Sequence, residues 1–328
     1  MCGLLEPVIS ISVVPTGIRS VRPLYDMAMD LLVTGSTGLI GSALVPYLTG
    51  KGHCVTRMIR ATPWAGANEI RWDPVSGMLN AAEVEGFDAV VHLAGENIAG
   101  GRWTAGVKRR IRDSRVQGTR LLAGSLAHLH QPPKTFICAS AIGYYGDRGE
   151  EVLREESAPG RGFLADVCRE WEEAARPAAE KGIRVVYVRI GVVLSTAGGA
   201  LAKMLLPFRF GVGGKIGSGA QYWSWITLDD LVRIINFSLQ DETCSGPVNA
   251  VTPHPVTNLE FTRTLGRVLA RPTIFPLPAF VARMALGEMA NDLLLASARV
   301  EPAKLLASGY EFLDPVLEPA LRRVLSHR

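Results

Sequence analysis

An α/β fold, with a doubly wound parallel sheet followed by a smaller and mostly helical C-terminal lobe, is predicted from three observations. Short apolar runs alternate with helical stretches between residues 30 and 194. A Gly-rich turn directly follows the first run and opens the first helix. The chain has 328 residues, 48% of them hydrophobic, which suffices for one large core with an appended lobe.

The elements follow in order. Asp30-Leu-Leu-Val-Thr34 is a short apolar run ending at the Gly-rich turn, as expected of a strand covered on both faces. Residues 39–49 set Leu39, Ile40, Ala43, Leu44, Tyr47 and Leu48 on one helical stripe, closed by Gly50 and Gly52. Pro46 inside that helix lacks a backbone donor and is expected to kink it or remove a bond. Residues 54–59 and 87–93 read as strands, 107–127 as a long helix, 135–139 as a strand, 163–181 as a helix and 183–194 as a Val-rich strand. Beyond residue 195, Gly198, Gly199, Gly211, Gly213, Gly214, Gly217 and Gly219 mark a loop-rich region reaching Trp225. A helix at 229–239 and a short strand at 248–251 follow. Thr257-Asn-Leu-Glu260 is a capping box opening a helix to Ala270, and residues 272–278 lead into a mostly helical tail.

This divides the chain into an extension (1–28), a dinucleotide-binding domain (29–250, with 196–226 partly on the substrate side) and a C-terminal domain (251–328). In the extension an apolar run at 8–14 precedes Arg19 and Arg22, and no small-residue cleavage site follows. A signal peptide has the opposite order, so a disordered extension is expected, or a working start at Met27 or Met29; a transit role is the alternative.

Lys plus Arg number 35 and Asp plus Glu 31, a net charge of +4, with no basic run that would track a phosphate backbone, so nucleic acid is not expected as a partner. The five cysteines, Cys2, Cys54, Cys138, Cys168 and Cys244, have neither CxxC nor zinc-type spacing. They suit buried thiols in a reduced, cytoplasmic setting without a metal. No stretch reaches the ~18 uncharged apolar residues of a membrane span.

The strongest motif is Thr34-Gly35-Ser36-Thr37-Gly38-Leu39-Ile40-Gly41. After a strand and before a helix, this is a Rossmann-type turn. Gly35 allows the tight turn, Gly38 lets a pyrophosphate approach the free N–H groups of the helix, and Gly41 permits close packing. NAD sites place an acid about 20 residues on, at the end of the second strand. Here that stretch reads Arg57-Met-Ile59-Arg60, with no carboxylate. Arg60 is suited to a 2′-phosphate, so the expected cofactor is NADP(H).

The Gly motif, Asp88-Ala-Val-Val-His-Leu-Ala-Gly95, Ser140-Ala-Ile-Gly-Tyr-Tyr-Gly146 and Thr227-Leu-Asp-Asp230 resemble an extended short-chain dehydrogenase/reductase. Arg71-Trp-Asp-Pro74, Gly95-Glu-Asn-Ile98, Ser114-Arg115, Leu206-Pro-Phe208, residues 214–219 and the tail from Pro276 to Phe312 are similar to one subgroup of the NAD-dependent epimerase/dehydratase-like proteins. That subgroup carries a C-terminal domain of unknown function. The resemblance covers about residues 29–325 and implies an NADP-dependent oxidoreductase or epimerase acting on a small molecule, with a homodimer left open. It also implies further cofactor contacts. These are Ile59 beside Arg60; Leu93, Ala94 and Gly95 at the end of their strand; Arg115, where relatives often have Asn; and Val193, with Val192, beside the nicotinamide.

Reductases of this type use Ser, Tyr and Lys, the Lys lowering the pKa of the Tyr acid/base. Ser140 matches the Ser, with Ala141 as the competing alignment. The Tyr-x-x-x-Lys pair should open the helix near residues 162–172, but Phe163 or Leu164 and Val167 or Cys168 stand there. Tyr144 or Tyr145 is then the substitute acid, or a structural Tyr-Gly pair, or the chemistry is different or absent. Cys168 as a nucleophile has no His near it in sequence. Trp223 and Trp225 either stack on substrate or pack against the C-terminal lobe. Thr227 stands where close relatives often have His.

Overall fold

The computed structural model describes residues 28–326. The expectations for the extension lie, except at Ala28, outside the described residues. Along the chain the strands are β1 (Asp30–Thr34), β2 (Cys54–Ile59), β3 (Glu69–Asp73), β4 (Met78–Leu79), β5 (Ala89–His92), β6 (Thr135–Ala141), β7 (Val152–Leu153), β8 (Arg184–Ile190), β9 (Val192–Leu194), β10 (Tyr222–Trp223), β11 (Trp225–Thr227), β12 (Gly246–Ala250), β13 (Val256–Thr257) and β14 (Arg299–Val300). Eight of them form one sheet in the order β12-β8-β6-β5-β1-β2-β3-β4. All its pairs are parallel except β3–β4. The main helices are α1 (Leu39–Gly50), α2 (Ala105–Ala127), α3 (Phe163–Ala174), α4 (Arg176–Glu180), α5 (Gly199–Arg209), α6 (Leu228–Gln240) and α7 (Asn258–Leu269).

Because strand side chains alternate between faces, a sheet covered on both sides needs apolar residues in both registers. Leu31 and Val33 pack with Leu44 and Leu48 of α1 and with Leu231, Ile234 and Ile235 of α6. Leu32 turns the other way, into a core with Leu122 and Leu126 of α2, Phe136, Trp171 and Ala178. A third core joins α5, α7 and the helix Leu317–Ser326, through Leu201, Phe208, Phe261 and Leu321.

Several stretches differ from the reading of the sequence, and the region read as loop-rich beyond residue 195 holds the helix α5 and the strand β10. Residues 183–194 are two strands, not one, because a Cβ on Gly191 would lie 2.7 Å from the Ser224 carbonyl oxygen. There β9 leaves the main sheet to pair in parallel with β11. Residues 163–181 are two helices, α3 and α4, with Pro177 in the first turn of the second. Its missing N–H falls where a helix has no use for it. Strands β3 and β4 were not anticipated; β3 delivers the buried Trp72 to the edge of the His92 ring, 5.9 Å between centroids. Pro46 is accommodated inside α1.

The C-terminal segment has two parts. Residues 279–295 are mostly helical and lie beside the carboxyl ends of the strands. The chain then returns along the main body, where β14 pairs with β7, Asn249 donates to the Glu301 carbonyl, and Asp230 accepts from the N–H groups of Leu313 and Asp314 at 2.8 Å. Among the described residues no helix is long and apolar enough to cross a membrane.

Candidate functional site

Strand order reverses at β1, which has β2 on one side and β5 on the other, and a ligand crevice forms outside the carboxyl ends at such a point. Register determines what lines it. Thr34 pairs with Met58 on β2 and with His92 on β5. Ile59 and Arg60 therefore flank the Gly35 turn on one side, and Leu93, Ala94 and Gly95 flank it on the other.

The turn has little room for side chains. Gly35 has φ +68°, and a Cβ there would lie 2.7 Å from the Leu93 carbonyl carbon and oxygen. A Cβ on Gly41 would lie 2.3 Å from the Gly35 oxygen, so Gly41 packs on the turn itself more than on the strand. Gly38 donates to the Gly35 carbonyl at 3.0 Å and begins α1 with no side-chain cap. The N–H groups of the first turn are thus open to an anion, and the helix dipole favours one. Thr37 and Gly38 are exposed, Leu39 and Ile40 half-buried. The Ser36 hydroxyl is buried at the turn and has no hydrogen-bond partner. An orphaned hydroxyl, a cap-free helix end and a cradle that a Cβ would fill all suit a dinucleotide phosphate.

Arg57 is paired with Glu69 on β3. Arg60 is exposed and has no carboxylate partner among the described residues. Ile59 beside it is half-buried.

Beyond β5, Leu93 and Ala94 are half-buried and Gly95 is exposed, forming a crevice floor. The guanidinium of Arg115 lies against Gly95 and 5.0 Å from the centroid of the Trp171 ring. On the far wall, a Cβ on Gly199 would touch Leu39 at 3.2 Å and the carbonyl oxygen of half-buried Val193 at 3.6 Å. These glycines bring the start of α1 and the end of β9 to one edge of the crevice.

Two of the acid/base candidates lie elsewhere. Ser140 is 2% exposed and donates to Glu172 at 2.7 Å. Glu172 holds Arg189 in a bidentate pair, 2.8 Å in each arm. Arg189 donates in turn to the Tyr145 hydroxyl at 2.9 Å, and that hydroxyl donates to Asn249 at 2.7 Å. Burial pushes the Tyr145 pKa up to about 12, against the opposing pull of Arg189. Ser140 and Tyr145 therefore belong to a buried network. Tyr144 is half-buried, with the Arg189 guanidinium 3.5 Å from its ring centroid, and Ala141 is half-buried at the strand end.

Leu164 and Cys168 are one of the two pairs, with Phe163 and Val167 the other, on which the Tyr-x-x-x-Lys spacing falls. Leu164 and Cys168 both face Gly143, where a Cβ would meet Leu164 Cβ at 3.2 Å and Cys168 Sγ at 3.8 Å. Burial pushes the Cys168 thiol up to about 12, so it is no thiolate near neutral pH. Asp292 reaches across from the C-terminal segment; burial raises its pKa, and a hydrogen bond from the Leu164 N–H opposes that. Lys108 bridges the same corner, 2.8 Å from Glu288 and 4.6 Å from the Phe163 ring centroid.

Trp223 and Trp225 are 7% and 0% exposed; Trp223 packs on Phe261 and Trp225 donates to the His254 carbonyl. Of the two sequence readings, packing describes them. Thr227 caps α6 by accepting from the Asp230 N–H and donates to Asp314. Sequence reasoning missed the Glu172–Arg189 pair. Its signal was available in Arg189 itself, since an arginine inside a Val-rich strand needs a buried acid.

The pattern defining the NAD dependent epimerase/dehydratase family matches residues 31–250, and that of a domain of unknown function, DUF1731, matches residues 277–324. The chain is 44% identical over 289 residues to Epimerase family protein Mb2239 of Mycobacterium bovis, spanning 88% of this chain and 95% of the relative. It is 38% identical over 301 residues to human Epimerase family protein SDR39U1, spanning 91% of this chain and 100% of the relative. Among solved structures, human SDR39U1 (isoform 2) with NADPH superposes with a TM-score of 0.84 at 37% identity, covering 92% of this chain and 100% of that one. The nucleoside-diphosphate sugar epimerase of Corynebacterium glutamicum gives 0.76 at 38% identity, covering 92% and 59%. With the turn, the switch-point crevice and these matches together, the chain belongs to the NAD-dependent epimerase/dehydratase family, in a branch that carries the DUF1731 domain.

Proposed function

We propose that this protein is an NADP(H)-dependent oxidoreductase or epimerase acting on a small polar substrate without a Tyr–Lys pair. The observation that carries the reading is the Gly35–Gly41 turn at the uncapped start of α1, with the exposed Arg60 beside it. The human relative solved with NADPH supports it. Bound NADP(H) would supply a hydride donor and acceptor. The first-turn N–H groups of α1 and the Ser36 hydroxyl would hold its phosphates, and Arg60 its 2′-phosphate. Leu93, Ala94, Gly95 and Val193 would exclude water beside it.

Proton transfer needs a group other than the missing pair. Tyr144 and Asp292 are half-buried side chains at that corner with the chemistry to take up and release a proton. Ser140, engaged with Glu172, would position that corner through the ion pair. The unpaired Cys54, Cys138, Cys168 and Cys244 support a reducing, cytoplasmic setting.

Thermal-shift titration tests the reading. NADPH should raise the melting temperature more than NADH at equal concentration, and equal or absent shifts would overturn it. A second reading, an NADP(H)-binding sensor without turnover, is favoured by the lack of a Tyr and a Lys at Phe163 or Leu164 and at Val167 or Cys168. A carbonyl-substrate panel followed by NADPH oxidation separates the two: turnover excludes the sensor.

A further inference from the structure

Large apolar side chains stand exposed together along one edge of the third core. There the segment after α5 runs beside the segment after α7. Arg271 Nε donates to the Arg209 carbonyl at 2.9 Å, the Leu277 N–H donates to the Lys215 carbonyl at 2.8 Å, and a Cβ on Gly214 would collide with the Phe275 carbonyl oxygen. Leu205 and Phe208 turn inward to the core. Phe210 and Ile274 do not: they are 75% and 72% exposed, with Phe275 beside them also exposed. Leu206, one turn before Phe210 on α5, continues the strip, as do Phe280 and Met284, one turn apart on the helix Ala279–Leu286. Single exposed apolar residues are ordinary, but a contiguous strip of them marks a surface that something covers.

The charge beside the strip indicates what covers it. Arg263 and Arg267 lie one turn apart on α7, and Arg271 follows just past its end. With Pro272 and Thr273 they line a shallow groove that leads directly to Ile274. Among the described residues neither Arg263 nor Arg271 pairs with a carboxylate, and Arg267 shares Glu318 with Arg322. Arg209 adjoins through its carbonyl, and Glu260 lies along the same face of α7. Five arginines thus meet two glutamates. Apolar side chains flanked by uncompensated cations match a bilayer surface, which takes the former into its acyl boundary and attracts the latter to anionic headgroups. Arginine suits such an edge because its stem lies along apolar neighbours while its charge stays in water. A second copy fits less well. A two-fold contact matches a surface with itself, which sets arginines against arginines or leaves them unmet.

We propose that this face docks the protein on an anionic membrane surface, with Phe210, Ile274 and Phe275 at the acyl boundary and the Arg263–Arg267–Arg271 groove on the headgroups. The chain lies on the bilayer and does not cross it, in keeping with the absence of a spanning helix among the described residues. Helix α5 runs from the crevice wall, where Gly199 meets Leu39, to Phe210, so the docked face flanks the crevice.

Co-sedimentation of the full chain with vesicles tests this. Vesicles of equimolar phosphatidylcholine and phosphatidylserine should bind it at least about tenfold more tightly than phosphatidylcholine alone. Arg263→Gln with Arg271→Gln should weaken binding to the anionic vesicles about fivefold per arginine, and by less at high salt. Phe210→Ser with Ile274→Ser should weaken it at least about tenfold. These four side chains are exposed, so neither pair should lower the melting temperature, and each pair reports on docking independently of the other. No binding by the unsubstituted chain, equal binding to both vesicles, or binding that survives both pairs would each overturn the proposal. So would a dimer in sedimentation velocity without vesicles that Phe210→Ser with Ile274→Ser converts to monomer, since a second copy would then cover the strip.

Discussion

The Thr34 hydroxyl on β1 and His92 Nδ1 on β5 share a 2.7 Å hydrogen bond directly beneath the phosphate turn. The same hydroxyl accepts from the N–H groups of Leu93 and Ala94, at 3.2 and 3.3 Å. Its one proton therefore goes to Nδ1, and Nε2 carries the ring proton toward Thr119 at 3.0 Å. This neutral imidazole ties the floor of the crevice to β1 and α2.

His92 makes stability depend on pH. Burial lowers its pKa from 6.5 to about 3. The unfolded chain takes up a proton below about pH 6.5 that the folded chain refuses, so stability is complete above that value and is lost as pH falls toward the folded pKa. Between pH 7.5 and 5 the loss should be about 2 kcal/mol. Urea unfolding at both pH values measures it, and His92→Asn should flatten the difference.

Gly41→Ala and Gly50→Ala should act in opposite directions. A Cβ on Gly41 meets backbone at 2.3 Å, whereas one on Gly50 meets nothing within 4 Å. The first should cost about 1–3 kcal/mol by overpacking and remove the NADPH-induced thermal shift. The second should add about 0.5–1 kcal/mol to stability by lowering unfolded-state entropy and leave the shift in place. Equal nucleotide responses in the two variants would contradict this account of the turn.

Arg60→Ala should lower the affinity for NADPH about tenfold or more while leaving NADH nearly unchanged, because only NADPH carries the 2′-phosphate. The measurement is the ratio of the two dissociation constants. An unaltered ratio would remove Arg60 from the 2′-phosphate site.

The Glu172–Arg189 pair should be a structural support whose removal is felt in stability. The side chains are 12% and 3% exposed. Arg189→Met should cost about 3–5 kcal/mol by leaving Glu172 buried and uncompensated, and adding Glu172→Leu should recover part of it. Ser140→Ala removes one hydrogen bond to a charged group and should cost about 1.5–3 kcal/mol, with NADPH affinity unchanged. Denaturant midpoints with parallel NADPH titrations check both. Loss of NADPH binding in Ser140→Ala would return that hydroxyl to the crevice.

The central sheet and the phosphate turn were legible because their causes are local. An apolar run such as Asp30–Thr34 and a glycine triplet carry their backbone requirements with them. The absent acid after β2 was equally plain, and with it the reading of Arg60. Where the catalytic side chains sit was a different matter. Ser140 and Ala141 are adjacent in sequence, yet one points into the Glu172 network and the other ends half-buried, because strand register and not residue type assigns the face. Likewise Gly191 breaks one Val-rich run into β8 and β9 only because Ser224 passes 2.7 Å from where its Cβ would be, a contact 33 residues away in the chain. Sequence alone determined the turn, through periodicity and backbone freedom, the cofactor class, through the missing acid and Arg60, and the family, through the resemblance of its motifs. Tertiary structure alone decided that Tyr145 and Trp225 are packed away, that Arg189 finds its acid on α3, and that Arg115 lies against Gly95, since burial and pairing depend on partners that sequence does not place side by side.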